Sequence, residues 1–419
     1  MRKIYRNVPI IVCLLVVIWI SAMWLLAESQ EIVFAQDQDR FITKREFDRV
    51  LTLQERQPIY MKGAALTQIG ELEANQPVAI IGEDEVYYEL RLGNMSVFLR
   101  KGYGTVEKKR LLAVGHTERL AAIQAIQKTA VYEEADLESG IIMMLEEGYR
   151  YPIVREEGDW YILKIGERPG YIHKQSVGMD AGLPVLVYHQ VLPIELMTTM
   201  ISTVSLESFE RQMEYLADHH FETLTAQQLY DYLEGRLVLS NKAVLITFDD
   251  GLLSSKEFAY PILKQYGFTA LQHIISSRTV RAEGEQLFDA EGPLQFFTAA
   301  DIKELSDVFQ FEAHTNDLHS LNETGKGVAL QQSKEEILSD LQQNIAQVPA
   351  AISLAYPFGH YNDDFIRAAK EAGLLIGFTT TEGYANMKTS NYEVCRFGVT
   401  EKKTFEQFVA YVEGDITGQ

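Results

Sequence analysis

From residue 183 onward, apolar runs of strand length alternate with amphipathic runs of helical length. Strands are predicted at 184–188, 243–248, 352–356 and 374–379, and helices at 205–219, 257–266, 335–345 and 363–372. This alternation is typical of α/β domains with parallel strands, closed into a barrel or left as an open sheet. Functional side chains are then expected at the carboxyl ends of the strands. The α/β domain is assigned to residues 181–419.

The preceding residues have a different pattern, with short alternating apolar runs interrupted by Gly, Asn or Asp. An internal repeat is visible: YELRLG at 88–93 corresponds to YILKIG at 161–166, and VFLRK at 97–101 to GYIHK at 170–174. Such runs predict two small all-β barrels, at 45–105 (a degenerate copy) and 129–180. Residues 36–55 have the pattern of a polar helical stalk, and residues 106–128 that of a helical connector.

Residues 1–35 contain a candidate membrane segment. Arg2, Lys3 and Arg6 precede an apolar run at 8–27 without charged residues, and about 20 apolar residues match the thickness of a bilayer core. The run predicts either a retained signal anchor or a signal peptide cleaved after the VFA at 33–35. Because the positive charges come first, both alternatives place the remainder outside the cytoplasmic membrane, anchored or secreted.

The formal net charge is −21 over 419 residues. Nucleic-acid partners are excluded on this ground, since phosphate binding needs a basic surface. The two cysteines, Cys13 and Cys395, predict no internal disulfide, because Cys13 lies in the apolar run.

Candidate catalytic residues follow the predicted strands. Asp249 and Asp250 end the strand at 243–248, and His314 and His319 are five residues apart after the apolar run at 308–311. One Asp and two His suit a metal with open positions for water and substrate, and the second carboxylate is then free to act as a base. The alternative is a simple Asp-Asp-Gly turn with an inert histidine pair.

Two further segments complete this inventory of a mononuclear metal hydrolase. His189 follows the strand at 184–188 and offers a spare imidazole as an acid; its alternative is a buried, hydrogen-bonded histidine. The turn at 356–359 carries the backbone amide of Phe358, which is a candidate donor to a developing oxyanion. Its alternative is a plain Pro-Gly turn.

These segments together carry a family resemblance. They read PVLVYHQV at 184–191, ITFDDG at 246–251, PILKQYG at 261–267, HTNDLH at 314–319, AYPFG at 355–359 and RFGV at 396–399. The region from 183 to about 399 resembles the polysaccharide deacetylases (NodB homology, carbohydrate esterase family four), most of all the permuted branch that acts on poly-N-acetylglucosamine. The resemblance implies a distorted (β/α) barrel.

The resemblance also implies residue roles. Asp249 would be the general base, His189 the general acid and Phe358 the oxyanion donor. The metal ligands would be Asp250, His314 and His319. They would hold one divalent ion, zinc in the first place, with cobalt or nickel as alternatives.

One position departs from the family pattern. The wider family has an arginine two residues before the proline of the fifth segment, where this chain has Ala355. Arg396 is the candidate substitute that would orient the base. The N-terminal repeats, with GDWY at 158–161 and GYI at 170–172, resemble bacterial SH3-like domains, which implies either cell-wall contact or a spacer.

The implied activity is that of a hydrolase of non-peptide carbon–nitrogen bonds, a polysaccharide N-deacetylase acting on an acetylated glycan. Exopolysaccharide, peptidoglycan and chitin-type substrates all remain open. Two alternatives to N-deacetylation also remain: an O-acetyl esterase that uses the same residues, and a non-catalytic protein that binds glycan or cell wall.

Overall fold

The computed structural model of the chain describes residues 41–63, 65–115, 120–281 and 287–414. The membrane segment predicted within residues 1–35 lies outside these ranges. Within them, no helix combines the length and the apolar character needed to cross a bilayer.

The N-terminal part is built of strands. They are β1 (Ile42–Leu53), β2 (Gln57–Lys62), β3 (Leu66–Leu72), β4 (Pro77–Ala79), β5 (Gly82–Glu83), β6 (Tyr87–Leu92), β7 (Met95–Arg100), β8 (Gly104–Val114), β9 (Ala121–Gln124), β10 (Thr129–Tyr132), β11 (Ile141–Leu145), β12 (Tyr149–Ile153), β13 (Arg155–Glu157), β14 (Trp160–Ile165), β15 (Arg168–His173) and β16 (Gly178–Met179).

The two sequence repeats share one sheet and one core. The sheet order is β13-β14-β15-β10-β11-β3-β2-β7-β6-β5, and β14 also pairs with β6. Each repeat therefore contributes five strands in the same relative order, β5-β6-β7-β2-β3 in the first and β13-β14-β15-β10-β11 in the second. The β11–β3 and β14–β6 pairs join the repeats into one closed structure. This corrects the prediction of two separate small barrels. The physical reason is that each five-stranded repeat alone would leave the edge of β3 or β11 unpaired, and pairing these two strands removes both edges.

The helical predictions for the stalk at 36–55 and the connector at 106–128 are wrong over the described residues. Both segments contain strands, and β1 pairs antiparallel with β8 from Ile42↔Val114 to Leu53↔Gly104. Their exposed charges obscure the strand alternation in the sequence, and ion pairs such as Lys108 with Glu46 (2.8 Å) lie across the ribbon. Pairing between distant segments has overridden the local pattern.

The C-terminal part alternates strands and helices. The strands are β17 (Val185–Tyr188), β18 (Gln190–Leu192), β19 (Thr203–Ser205), β20 (Glu222–Thr223), β21 (Leu239–Ser240), β22 (Ala243–Phe248), β23 (Ala270–Ile274), β24 (Phe309–Ala313), β25 (Ser353–Ala355), β26 (Ile376–Phe378) and β27 (Phe397–Gly398). The helices are α1 (Leu206–Asp218), α2 (Ala226–Leu233), α3 (Tyr260–Tyr266), α4 (Ser276–Arg281), α5 (Ala299–Glu304), α6 (Lys334–Gln347), α7 (Asp363–Glu371) and α8 (Phe405–Glu413).

The main C-terminal sheet is parallel and barrel-like, which confirms the predicted α/β class. Its order is β26-β25-β24-β23-β22-β17-β27. The two ends meet because Thr379 N–H donates to the Val394 carbonyl at 2.9 Å and Arg396 N–H donates to the Thr381 carbonyl at 3.0 Å. Strands buried on both faces explain the continuous apolar runs in the sequence. The carboxyl ends of β17, β22, β24 and β25 consequently meet at one end of the barrel.

A buried ion pair fastens the N-terminal part to the barrel. Arg150 on β12 pairs with Asp180, and their side chains are only 4% and 1% exposed. Arg150 also donates to the Gly182 carbonyl at 2.9 Å, and the Tyr232 hydroxyl donates to Asp180 at 2.7 Å. In addition, β12 pairs with β21, just before β22. The contact therefore lies near the amino-terminal end of β22, away from the strand end that carries Asp249 and Asp250.

Candidate active site

Two carboxylates leave the carboxyl end of β22 in different directions. Asp249 extends the strand, since its N–H donates to the Tyr188 carbonyl at 3.0 Å, and its side chain is 5% exposed. Asp250 has a φ of 76°, a left-handed conformation that costs a non-glycine residue about 1–2 kcal/mol. Gly251 follows with a φ of 70°, and a Cβ there would lie 2.8 Å from Ile274 Cδ1. The strained turn thus separates a buried carboxylate from a more accessible one.

Asp250, His314 and His319 form a compact cluster. Asp250 Oδ1 lies 3.2 Å from His319 Nε2 and 3.4 Å from His314 Nε2. His314 Nδ1 lies 2.7 Å from the Ala355 carbonyl, which accepts only if this nitrogen carries the proton. The lone pair of His314 Nε2 is therefore free to bind a metal and faces Asp250.

These three residues fit a metal ion. Ligand atoms on a tetrahedral metal with bonds of about 2.0–2.1 Å are about 3.3 Å apart, close to the distances observed here. Asp250 Oδ1 is buried and has no hydrogen-bond partner among the described residues. Burial lowers the pKa of His319 to about 3, which keeps its imidazole in the neutral form that ligates metals. A cation would compensate the buried carboxylate oxygen that no hydrogen bond satisfies.

Helix α6 holds the loop that brings the two histidines together. The Asp340 carboxylate accepts from the backbone N–H groups of Asn316 and Asp317, both at 2.8 Å. Asn344 is fully buried and donates to the Thr315 carbonyl at 2.6 Å. Thr315 itself has a φ of 66°. A strained loop, fixed from behind by two side chains, overcomes the five-residue spacing that a helix could not accommodate.

Arg396 holds the buried carboxylate of Asp249. Its Nη1 donates to Oδ1 at 2.9 Å and its Nη2 to Oδ2 at 2.7 Å. Arg396 is 1% exposed and is itself fixed, donating from Nε to the Thr379 carbonyl at 3.0 Å and from Nη1 to Thr247 Oγ1 at 3.1 Å. The paired geometry restricts the orientation of the carboxylate plane.

His273 is the second neighbour of Asp249. Its Nδ1 lies 3.0 Å from Asp249 Oδ1, although the ring N–H is not aimed well enough at the oxygen to make a full hydrogen bond. Burial alone would raise the pKa of Asp249, but the charge of Arg396 and the contacts with His273 and Arg396 lower it well below its usual value. Burial lowers the pKa of His273 to about 4. The structure thus keeps Asp249 ionised and His273 neutral near pH 7.

His189 lies beyond the end of β17 and is half-buried. Its carbonyl accepts from Ser255 Oγ at 3.5 Å. Burial alone would raise the pKa of Asp250, but the contact with His314 and the charges of His314, His189 and His319 lower it overall. The histidine predicted as an acid is therefore placed near the metal cluster.

Phe358 lies in the turn after β25, beside His319. Its φ is 57°, and its ring centroid is 4.4 Å from that of His319. Gly359 follows with a φ of 71°, and a Cβ there would lie 2.0 Å from Thr380 Oγ1. Asp250, Thr315 and Phe358, three non-glycine residues with left-handed backbone, thus all belong to the predicted motifs, which is a common location for backbone strain.

Two cavities differ in their relation to these residues. One of about 570 Å³ is lined by Gln190, Leu252 and Ser254, the immediate neighbours of the motifs, and by residues 288–295. The other, of about 480 Å³, lies at the amino-terminal ends of β23 and β24 and is lined by none of the predicted site residues. The first cavity therefore adjoins the motif segments, whereas the second lies away from them.

Sequence reasoning missed four residues that support the site. His273 lies on an apolar strand where a histidine is unusual, which was the available signal. Ser353, Asp340 and Asn344 carry no sequence signal, because a serine in a strand and polar residues in an amphipathic helix are common. Their contacts exist only once α6, β23 and β25 are packed together.

Comparison with known proteins agrees with this geometry. A family profile for polysaccharide deacetylase matches residues 238–377. The putative polysaccharide deacetylase YxkH of Bacillus subtilis is 31% identical over 236 residues, which is 56% of this chain and 77% of that protein. The poly-beta-1,6-N-acetyl-D-glucosamine N-deacetylase of Staphylococcus aureus (strain MSSA476) is 30% identical over 220 residues, 51% of this chain and 72% of that protein.

Among solved structures, IcaB from Ammonifex degensii is 28% identical and has a TM-score of 0.48, covering 56% of this chain and 98% of that one. The extent and identity of the curated relatives decide the family. The chain belongs to the polysaccharide deacetylase family of enzymes.

Proposed function

We propose that this chain hydrolyses the N-acetyl amide of N-acetylglucosamine units in an extracellular polysaccharide and releases acetate. The observation that carries the proposal is the Asp250, His314 and His319 cluster beside a second carboxylate, Asp249, which Arg396 holds with two hydrogen bonds. The name of the staphylococcal relative supports an N-acetylglucosamine polymer as the substrate class.

In this proposal Asp250, His314 and His319 hold one divalent ion, zinc in the first place and cobalt or nickel as alternatives. A cation at these ligands supplies Lewis acidity toward the acetyl carbonyl and toward water.

Asp249 acts as the general base. Its carboxylate has about four acceptor positions. The two Arg396 hydrogen bonds occupy two of them, and His273 Nδ1 lies at a third without completing a hydrogen bond. One position remains to accept a proton. Because its pKa is well below the usual value, the carboxylate is ionised at neutral pH, as a base must be.

The remaining steps use His189 and Phe358. Water attacks the acetyl carbonyl carbon as Asp249 takes its proton, and the Phe358 N–H donates to the oxygen that becomes negative. The carbon–nitrogen bond then breaks, and His189 gives its proton to the departing amine. The products are acetate and a glycan with a free amino group.

A buried, doubly hydrogen-bonded carboxylate favours catalysis over the non-catalytic alternative. A glycan-binding protein would gain nothing from holding Asp249 at 5% exposure against Arg396, because a side chain so deeply buried offers a ligand little surface. Water would attack an O-acetyl ester in the same way as an N-acetyl amide. A comparison of N-acetylated and O-acetylated substrates is therefore needed to distinguish the deacetylase from the esterase alternative.

The location of the enzyme is part of the proposal. The apolar run at 8–27 would keep the chain at the extracellular side of the cytoplasmic membrane, or direct its secretion. The N-terminal β part would then contact the cell wall or act as a spacer for the deacetylase domain.

The test is acetate release by the full-length chain loaded with zinc, cobalt or nickel. Poly-N-acetylglucosamine oligomers, peptidoglycan and an O-acetylated glycan would be compared. Release from an N-acetylated substrate supports the proposal and identifies the polymer. Release from the O-acetylated glycan alone would replace it with an esterase, and glycan binding without any release would replace it with a binding protein.

A further inference from the structure

We infer that His273 is a positioning residue, which orients the carboxylate of Asp249 for proton transfer. The inference rests on the proposed function, since it assumes that Asp249 is the base. His273 is the fourth residue of β23 and is fully buried. It touches no atom that the proposed reaction makes or breaks, so its effect must pass through Asp249.

The two ring nitrogens of His273 face two different polar groups. Nδ1 lies 3.0 Å from Asp249 Oδ1, and Nε2 lies 3.3 Å from Ser353 Oγ. An ionised carboxylate only accepts hydrogen bonds. The proton must therefore be on Nδ1 for the closer contact to be favourable.

Nδ1 has no other hydrogen-bond partner in the described part of the chain. A buried donor without an acceptor is costly, so Asp249 is the group that this nitrogen needs. The contact is short but imperfectly aligned, as catalytic contacts often are before substrate binds.

A chain of buried groups holds the imidazole from behind. With Nδ1 protonated, Nε2 is an acceptor, so the single hydroxyl proton of Ser353 is shared between Nε2 at 3.3 Å and Glu312 Oε2 at 3.0 Å. The same Glu312 oxygen accepts from the backbone N–H groups of Ile352 and Ser353 at 2.8 and 2.7 Å. Glu312 is on β24, and Ser353 begins β25. The support for His273 is therefore built on two neighbouring strands, and sites built on strands are held more precisely than sites on loops.

His273 and Arg396 hold Asp249 from different strands. Arg396 contacts both oxygens, whereas His273 contacts Oδ1 alone. Contacts from two separate groups restrain rotation of the carboxylate more than one group would. Small displacements of a catalytic group lower the reaction rate steeply, so removal of the second contact should lower kcat.

The test compares two substitutions of His273 in the full-length, metal-loaded chain. His273→Phe keeps a planar ring and removes both nitrogens, whereas His273→Asn keeps an N–H donor near the position of Nδ1. We expect His273→Phe to lower kcat for acetate release by about 10- to 100-fold, with KM and metal content unchanged. His273→Asn should recover part of that loss.

Gln272→Leu is the matched control. Gln272 is equally buried on the same strand and contacts the Phe248 carbonyl at 3.4 Å, not Asp249. A purely structural role for His273 would predict that Gln272→Leu and His273→Phe both lower the melting temperature while kcat stays the same. A kcat of His273→Phe within about twofold of wild type would overturn the inference.

Two further outcomes are decisive. If His273→Phe does not fold, Ser353→Ala removes the partner of Nε2 instead; a lower kcat with unchanged KM is expected, and an unchanged kcat overturns the inference. If the wild-type chain releases no acetate, the proposed function fails and takes the inference with it. If wild type releases acetate and His273→Phe is equally active, the inference on His273 fails while the proposed function stands.

Discussion

Arg396 donates two hydrogen bonds to Asp249, at 2.9 and 2.7 Å, across 147 residues of sequence. The family resemblance implies an arginine two residues before Pro357, but this chain has Ala355 there. The carbonyl of Ala355 instead accepts from His314 Nδ1 at 2.7 Å. An arginine from the segment before β27 thus reaches the base, while the backbone at 355 orients a metal ligand.

Removal of Arg396 should destabilise the chain. Arg396→Ala leaves a buried carboxylate without its counter-charge, which typically costs about 3–5 kcal/mol. The free energy of unfolding, from urea denaturation, measures this loss. Arg367→Ala is the control, because Arg367 pairs with Asp364 on the surface and should cost far less. Equal losses for the two variants would contradict the buried ion pair.

The Asp249–Arg396 pair should make stability depend on pH in the acidic range. The pKa of Asp249 lies below its usual value of 3.8, since Arg396 and His273 outweigh the effect of burial. Its stabilisation is therefore complete above about pH 5 and is lost progressively as the pH falls through 3.8 toward the lowered pKa. In metal-free protein, the stability difference between wild type and Asp249→Asn should shrink from about pH 5 to about pH 3. A difference that stays constant over this range would contradict the lowered pKa.

Metal removal should lower thermal stability, because only the folded chain assembles Asp250, His314 and His319. A metal at about 100 times its Kd adds about 2.7 kcal/mol. We expect a chelator to lower the Tm and added zinc to restore it. His314→Ala and His319→Ala should each lose bound metal, measured by elemental analysis.

His219→Ala is the control for the ligand histidines. His219 is exposed at the end of α1 and stacks on Tyr215, so its removal should leave metal content unchanged. Full metal occupancy in His319→Ala would show that the metal binds elsewhere.

Asp340 should influence metal affinity without touching the metal. Its carboxylate holds the N–H groups of Asn316 and Asp317, and loss of such outer contacts usually weakens metal binding about 10- to 100-fold. Metal titration of Asp340→Ala measures this effect. Glu335→Ala, on an exposed position of the same helix, should bind metal like wild type. An unchanged affinity in Asp340→Ala would mean that the loop keeps its conformation without α6.

The α/β half could be read from the sequence because its elements carry strong local signals. The strand at 243–248 is apolar throughout and is found as the fully buried β22 (Ala243–Phe248). Helices such as α6 begin at capping residues, Ser333 in that case. The N-terminal half was predicted less well. The partners β1 and β8 are far apart in sequence, so neither segment shows locally that it is a strand.

The active site shows the same difference between residues with a local sequence signal and residues whose role depends on packing. Asp249, Asp250, His314 and His319 occur in short motifs at predicted strand ends, and the structure brings them together. The roles of His273 and Asp340 depend on contacts between strands and helices that only packing creates. Arg396 was predicted to substitute for the family arginine that Ala355 replaces. Its contact with Asp249 forms only when the barrel closes.

The proton-transfer role of Asp249 is tested most directly by one comparison. Acetate release and metal content would be measured for wild type and Asp249→Asn on poly-N-acetylglucosamine oligomers. Asparagine keeps the size of the side chain but cannot accept the proton, so we expect metal content to be equal and kcat to fall by about 10²- to 10⁴-fold. Near wild-type acetate release by Asp249→Asn would contradict the assignment of this carboxylate as the base.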